Sequence, residues 1–117
     1  MSAWDQSIFA SDVNTEFLDE LLSLDDDGVV EAVEDVCMLV ARQSGATEDE
    51  RENALCAATI AAIWAGAPFS AGDVADRYPF IRRHHGQVSE ELAEVATEVL
   101  EAGADPDEVE EFLEALT

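Results

Sequence analysis

The stretch ALCAATIAAIW, residues 54–64, decides the fold class because it is apolar on nearly every side. A helix at a protein surface carries its apolar residues in one stripe, whereas a helix that is apolar all round is enclosed by its neighbours. The apolar run is too short to span a membrane, and its many alanines allow neighbouring helices to approach closely. The sequence therefore predicts a central helix on which the rest of the chain packs.

The residues on either side of this run mark the ends of the central helix. Thr47 and Glu50 have the spacing of a capping box, in which two side chains satisfy backbone N–H groups at a helix start. At the other end, Ala67 and Pro68 are expected to stop the helix, because proline lacks the N–H group that a helix interior needs.

Most of the chain after residue 11 repeats its apolar residues at helical spacing, and no run alternates long enough to form a central strand. In the first helix, Leu21, Leu22 and Leu24 are assigned to the apolar stripe. The first helix is predicted over residues 12–24, and the second carries the stripe from Val29 to Val40 and ends near Gly45. One or two short helices are predicted between 70 and 86, with a break at Pro79. The last two helices are predicted to start at Ser89 and at Pro106, which has Asp105 as its cap.

The length and composition fit a single compact domain. The chain has 117 residues and a hydrophobic fraction of 48%, which is typical of a folded globule. We expect an all-α fold in which residues 1–117 form one acidic domain. It is a bundle of five or six helices with an irregular N-terminal arm, residues 1–11, packed on it.

The charge balance is the most unusual property of the sequence. It has 28 acidic residues against five arginines and no lysine, which gives a formal net charge of -23. Such a surface repels phosphate groups, so we expect no direct binding of nucleic acid or of an anionic membrane. Three explanations of the acidity stay open: complementarity to a basic partner protein, adaptation to high salt, or an acidic proteome.

The cysteines and the first ten residues predict in which cellular compartment the protein lies. Cys37 and Cys56 both lie within apolar helical patterns, so we expect buried, reduced thiols in a cytoplasmic protein. The first ten residues lack the basic segment of a secretion signal.

The stretch SLDDDGVVEAVE, residues 23–34, matches part of an EF-hand calcium loop. Gly28 stands at the sixth position, where that loop requires glycine. The carboxylates of Asp25, Asp27 and Glu34 stand at three of the ligand positions. The first ligand position has no aspartate, and the apolar stripe of the next helix begins inside the loop. We therefore favour an N-cap and an acidic first turn of a helix over a metal site, and we expect no cofactor.

The stretch RYPFIRRHHG, residues 77–86, holds three of the five arginines and both histidines: Arg77, Arg82, Arg83, His84 and His85. One interpretation is an anion- or partner-binding site. The other, which we favour, is that these cations gather at the end of a helix, where its dipole stabilises them, and neutralise nearby carboxylates. No catalytic motif accompanies them, since the chain has no G-x-S-x-G, C-x-x-C, H-E-x-x-H or glycine-rich phosphate loop.

The stretch MSAWDQSIFASDVNTEFLDEL, residues 1–21, resembles the opening of the bacterial family called domain of unknown function 4259. The matching positions are Trp4, Phe9, Asp12, Phe17, Leu18 and Leu21. Ser2, Asp5 and Ser7 stand where that family usually has glycine. The resemblance implies a small helical bacterial protein with Trp4 and Phe9 tucked against the bundle, and it implies no activity.

Together these features predict a non-enzymatic protein-interaction module whose acidic surface binds a basic partner protein. An immunity-protein or antitoxin role fits, as does mimicry of nucleic acid, because complementary charge speeds association and fixes specificity. The alternative is a helical bundle that binds a small molecule or anion, or acts as an enzyme, through the segment from Arg77 to His85. The oligomeric state stays open.

Overall fold

The computed structural model describes residues 4–42, 45–67, 72–83, 86 and 88–117. Within this part of the chain all regular secondary structure is helical, which confirms the predicted all-α class. Six helices have seven residues or more, and α5 and α6 are the short segments expected around Pro79. The helices are α1 (Trp4–Ala10), α2 (Asp12–Leu22), α3 (Asp26–Arg42), α4 (Glu48–Trp64), α5 (Gly72–Arg77), α6 (Phe80–Arg83), α7 (Glu90–Gly103) and α8 (Pro106–Leu116).

Helix α4 is the centre of the molecule, as its all-round apolar sequence predicts. Every side chain from Ala54 to Trp64 is buried, and α4 packs against α1, α2, α3, α6, α7 and α8. Trp64 is fully buried, and its indole N–H donates to the Phe80 carbonyl at 3.1 Å, which fixes α6 against the end of α4. A buried indole needs such a partner, because an unsatisfied donor in the core is costly.

The predicted helix starts are confirmed by their hydrogen bonds. The Thr47 hydroxyl accepts from the Glu50 backbone N–H at 3.1 Å, and a Glu50 carboxylate oxygen accepts from the Thr47 N–H at 2.9 Å, which completes the capping box. Ser89 caps α7 through the Leu92 N–H at 3.1 Å. Asp105 caps α8 in the same way, and Pro106 occupies the first helical position.

The end of α4 differs slightly from the prediction. The helix stops at Trp64, and Gly66 has a φ of +114°, a left-handed conformation that glycine adopts without steric cost. The Ala67 N–H donates to the Ala62 carbonyl and the Gly66 N–H to the Ile63 carbonyl, which together form a Schellman motif. Glycine therefore ends this helix before the Ala67–Pro68 pair is reached.

The N-terminal arm, expected to be irregular, is helical from Trp4 to Ala10. An isolated helix of this length is unstable in water, so its contacts with the bundle hold it. Ile8 and Phe9 are buried, and the Trp4 indole N–H donates to the Thr59 hydroxyl of α4 at 2.8 Å. This tertiary packing, absent from any local pattern, explains why the prediction was wrong on this point.

The predicted apolar stripe of α2 is also wrong at its C-terminal end. Phe17, Leu18 and Leu21 are buried, but α2 ends at Leu22, whose side chain is 47% exposed. Leu24 lies beyond the helix and is 43% exposed, because the chain has left helical geometry before reaching it. Among the described residues these two are the large apolar side chains that remain exposed.

The dimensions agree with one packed domain. The Cα radius of gyration is 12.5 Å, close to the roughly 13 Å expected for a compact domain of about 100 residues. Across the ranges that the structure describes, no helix combines the length and apolarity needed to cross a membrane.

The capping box gives a direct test of the α4 boundary. Thr47→Ala removes the acceptor for the Glu50 N–H, and we expect it to lower the free energy of unfolding by about 1 kcal/mol. Urea denaturation followed by circular dichroism measures this change. The matched control is Thr117→Ala at the exposed chain end, where the change is expected to stay within about 0.5 kcal/mol. Equal losses in the two variants would contradict the capping role.

Candidate functional site

The main candidate site is an acidic surface on the last two helices. We define the acidic face as the carboxylates carried by α7, by α8 and by the N-cap of α8, all eleven of which are exposed. They are Glu90, Glu91, Glu94, Glu98, Glu101, Asp105, Asp107, Glu108, Glu110, Glu111 and Glu114.

The helical period places these carboxylates outside. The buried stripe of α7 consists of Leu92, Val95, Ala96, Val99 and Leu100, and that of α8 consists of Val109, Phe112 and Leu116. The two helices pack on each other and on α4 through these stripes, so the intervening acidic residues face solvent. The apolar side of the last helix therefore belongs to the core.

The acidic face has almost no neutralising partner. Residues 86–117 contain no lysine, arginine or histidine. Within the described part of the chain, its one ion pair joins Glu98 to Arg42 of α3 at 3.8 Å, and both side chains are about half exposed. A pair of this kind contributes little, because water screens it and two long side chains must be ordered. The face therefore keeps nearly all of its negative charge.

The repulsion reaches the neighbouring helix α3. The side chain of Glu34 is half-buried, and this desolvation is the largest cause that raises the pKa of its carboxyl. The negative charges of Glu91, Asp35 and Glu31 raise that pKa further. Burial and the surrounding carboxylates, including Glu91 of α7, thus disfavour the ionised form of Glu34.

A groove runs along the outer side of α8 within the acidic face. It has a volume of about 360 Å³ and is lined by Pro106, Asp107, Glu110, Leu113, Glu114 and Thr117. Leu113 is half-buried and provides an apolar floor between carboxylates. Long cationic side chains suit such a surface, because their methylene stems lie on apolar atoms while their charged ends reach acidic groups.

The described arginines of the segment from Arg77 to His85 contact acidic or polar groups of the protein itself. Arg83 pairs with Asp26 at the start of α3, at 2.8 Å between guanidinium and carboxylate. This agrees with the interpretation that these cations neutralise nearby carboxylates. The side chain of Arg82, and both His84 and His85, lie outside what the structure describes. The anion-site interpretation stays a prediction.

Tyr78 links the same segment to α2. Its side chain is buried, and its hydroxyl donates to Asp19 at 2.6 Å. Burial is the largest cause that raises the pKa of Tyr78, followed by Asp19, while the nearby Arg77 guanidinium partly lowers it. The hydrogen bond ties the connection between α5 and α6 to α2.

The three EF-hand candidates lie at the beginning of a helix. Asp25 accepts from the Gly28 backbone N–H at 2.8 Å, and α3 begins at Asp26, so Asp27 and Glu34 are both on helical backbone. The predicted N-cap and acidic first turn are therefore present, and the absence of a metal site stays a prediction. In the ranges with described side chains, no three His, Cys, Asp or Glu residues are grouped as metal ligands.

The two cysteines are buried and free, as predicted. Burial, with a contribution from Glu34, raises the pKa of Cys37 to about 12. Burial also raises the pKa of Cys56, and the neighbouring Cys37 and Glu52 add to this effect. Because the thiolate is the reactive form, neither thiol is suited to nucleophilic chemistry.

The acidic face was not singled out from the sequence, although its charge was. The signal that could have found it is the complete absence of cations after residue 85, combined with two amphipathic stripes that turn every carboxylate outward. The exposed side chains Leu22 and Leu24 carried no such signal, because their spacing is also that of a buried stripe.

Comparisons with known proteins identify a family. The family model described as domain of unknown function (DUF4259) matches residues 2–115, nearly the whole chain. No curated protein and no solved structure matches the chain.

The raised pKa of Glu34 predicts how stability depends on pH. The folded-state pKa lies above the unfolded one, so ionised Glu34 destabilises the fold at neutral pH and protonated Glu34 does not. Glu34→Gln is therefore expected to raise the free energy of unfolding at pH 7, and this gain is expected to disappear below about pH 4. Urea denaturation at several pH values measures it. The control Glu31→Gln, on the exposed side of α3, should gain less, and a gain for Glu34→Gln that is independent of pH would contradict this cause.

The Tyr78–Asp19 hydrogen bond predicts an energetic coupling. Tyr78→Phe is expected to lower the free energy of unfolding by about 1–2 kcal/mol, because it removes the donor to a carboxylate. The double variant with Asp19→Asn should lose less than the sum of the two single losses. Thermal and urea denaturation of all four proteins provide the cycle, and strict additivity would argue against the bond.

Proposed function

The chain belongs to the family described as domain of unknown function (DUF4259), and we propose that it is a non-enzymatic interaction module whose acidic face binds a basic partner protein. The family description assigns no activity, so the proposal is built on the surface of this chain. The single observation that carries it is the set of eleven exposed carboxylates on and beside α7 and α8, with no cation in residues 86–117.

Such a concentration of charge is suited to recognition. Uncompensated carboxylates on two packed helices create a negative potential that raises the encounter rate with a basic surface and rejects acidic ones. The same repulsion opposes folding, as the raised pKa of Glu34 illustrates. A partner that supplies positive charge relieves this repulsion, so association and stability favour each other.

The acidic face suits certain classes of basic partner protein. As an immunity-like or antitoxin-like protein, the chain would block a basic toxin or nuclease through this acidic face, and as a nucleic-acid mimic it would use the same charge against a nucleic-acid-binding protein. We also propose a bacterial cytoplasm as its setting, and the two free, buried thiols support the reducing compartment in this proposal.

Affinity capture tests this proposal. The full-length tagged chain is immobilised and exposed at low salt to a lysate of its source organism. We expect one basic protein to be retained in stoichiometric amount and released by moderate salt, because screening weakens exposed charge pairs. The variant D107N/E110Q/E114Q, altered along the outer side of α8, is expected to bind this protein about tenfold more weakly.

The matched control removes the same charge elsewhere. D12N/E16Q/E31Q changes three exposed carboxylates of α2 and α3, including one first-turn aspartate, as the α8 variant does. It should retain the partner nearly as well as the natural chain. Equal weakening by both variants, or an empty column, contradicts the proposal. A melting temperature that rises steeply in molar salt, together with an empty column, would favour salt adaptation instead.

A further inference from the structure

A second surface, formed by residues outside α7 and α8, combines exposed apolar side chains with charged ones. We define the α2–α6 cleft by Leu22 and Leu24 on its wall, Val29 and Phe80 on its floor, and the Asp26–Arg83 ion pair on its rim. It lies where α2 ends, α3 begins and α6 packs beside them. Its volume is about 50 Å³, enough for the end of one aliphatic side chain and too small for an aromatic ring.

The exposed leucines are unusual in this molecule. Leu22 is 47% exposed and Leu24 is 43% exposed, whereas the other large apolar side chains of the described residues are buried or half-buried. A single exposed leucine needs no explanation, but two that share one cleft above a buried apolar floor form a continuous patch. Val29 and Phe80, at 2% and 3% exposure, connect this patch directly to the core.

The local backbone holds the cleft in shape. The Leu24 N–H donates to the Leu21 carbonyl at 3.1 Å, and the Asp25 carboxylate accepts from the Gly28 N–H at 2.8 Å. A Cβ at position 28 would lie 2.9 Å from that carboxylate oxygen and 3.2 Å from the Cβ of Leu24, so a larger residue there would require the side chain of Asp25 to move. These hydrogen bonds fix the connection between α2 and α3, from which Leu24 projects.

The charged groups around the cleft favour one kind of partner segment. Asp26 and Arg83 pair at 2.8 Å and are each more than half exposed, so a partner can still reach both. Glu20, Asp25 and Asp27 are exposed and directly adjoin lining residues in the chain, so carboxylates outnumber Arg83 among the described side chains of this region. An apolar side chain flanked by lysine or arginine complements this rim, while a second copy of the acidic chain is repelled.

We propose that the α2–α6 cleft is an anchor site for one aliphatic side chain of a partner segment, with lysine or arginine on either side of it. The inference deepens the proposed function and rests on it for the positive charge of the partner. Charge on the acidic face governs encounter, and burial of an aliphatic side chain in a preformed cleft slows dissociation.

Two short peptides of equal positive charge test the cleft. One carries a leucine flanked by arginines, and the other has serine in place of the leucine. Titrated into the full-length chain at low salt, the leucine peptide is expected to bind about tenfold more tightly, the effect of burying one aliphatic side chain. In L22S/L24S the two peptides should bind equally, whereas D107N/E110Q/E114Q should keep the tenfold preference.

A measurement without any variant guards against misfolding of L22S/L24S. In the natural chain, the leucine peptide is expected to shift the amide resonances of residues 20–29 and 79–83 more than the serine peptide does. Equal binding of the two peptides, or no binding, overturns the cleft proposal. If both bind equally and the α8 variant weakens both, the proposed function stands and the cleft does not. Self-association that L22S/L24S abolishes would assign the cleft to a second copy and overturn the basic occupant.

Discussion

The enclosure of α4 is the constraint on which the rest of the structure depends. With every side chain from Ala54 to Trp64 buried, each neighbouring helix must turn an apolar stripe toward it. Small alanines along α4 let six helices approach it, and Trp64 fills the space at its C-terminal end. Even the seven-residue helix α1, unstable alone, is held by Ile8, Phe9 and a hydrogen bond to Thr59.

The same constraint produces the acidic face. Helices α7 and α8 use their apolar stripes to cover α4, so eleven carboxylates are left outside with no cation among them. Burial of the core must therefore offset a self-repulsion that grows with net charge. At the half-buried Glu34, the negative charges of Glu91, Asp35 and Glu31 add to the rise in pKa that burial causes. These eleven exposed carboxylates are the observation on which the proposed function rests.

Two of the five arginines join helices through ion pairs. Arg42 reaches from α3 to α7, and Arg83 reaches from α6 to the first turn of α3. The second of these pairs borders the one patch of exposed large apolar side chains in the described structure, formed by Leu22 and Leu24. The proposed partner is therefore attracted over a distance by the charge on α7 and α8 and held at short range by apolar burial at the α2–α6 cleft.

The sequence by itself determined the helical class, the central position of residues 54–64 and the N-caps at Thr47, Ser89 and Asp105. These features depend on local spacing and on side chains that bond to their own helix, so neighbours in the chain are sufficient to specify them. Only the tertiary structure decided that residues 4–10 are helical, that Leu22 and Leu24 are exposed, and that Arg83 meets Asp26. Those features depend on which helix ends meet in space, and contacts between residues as far as 57 positions apart leave no periodic signal in a single sequence.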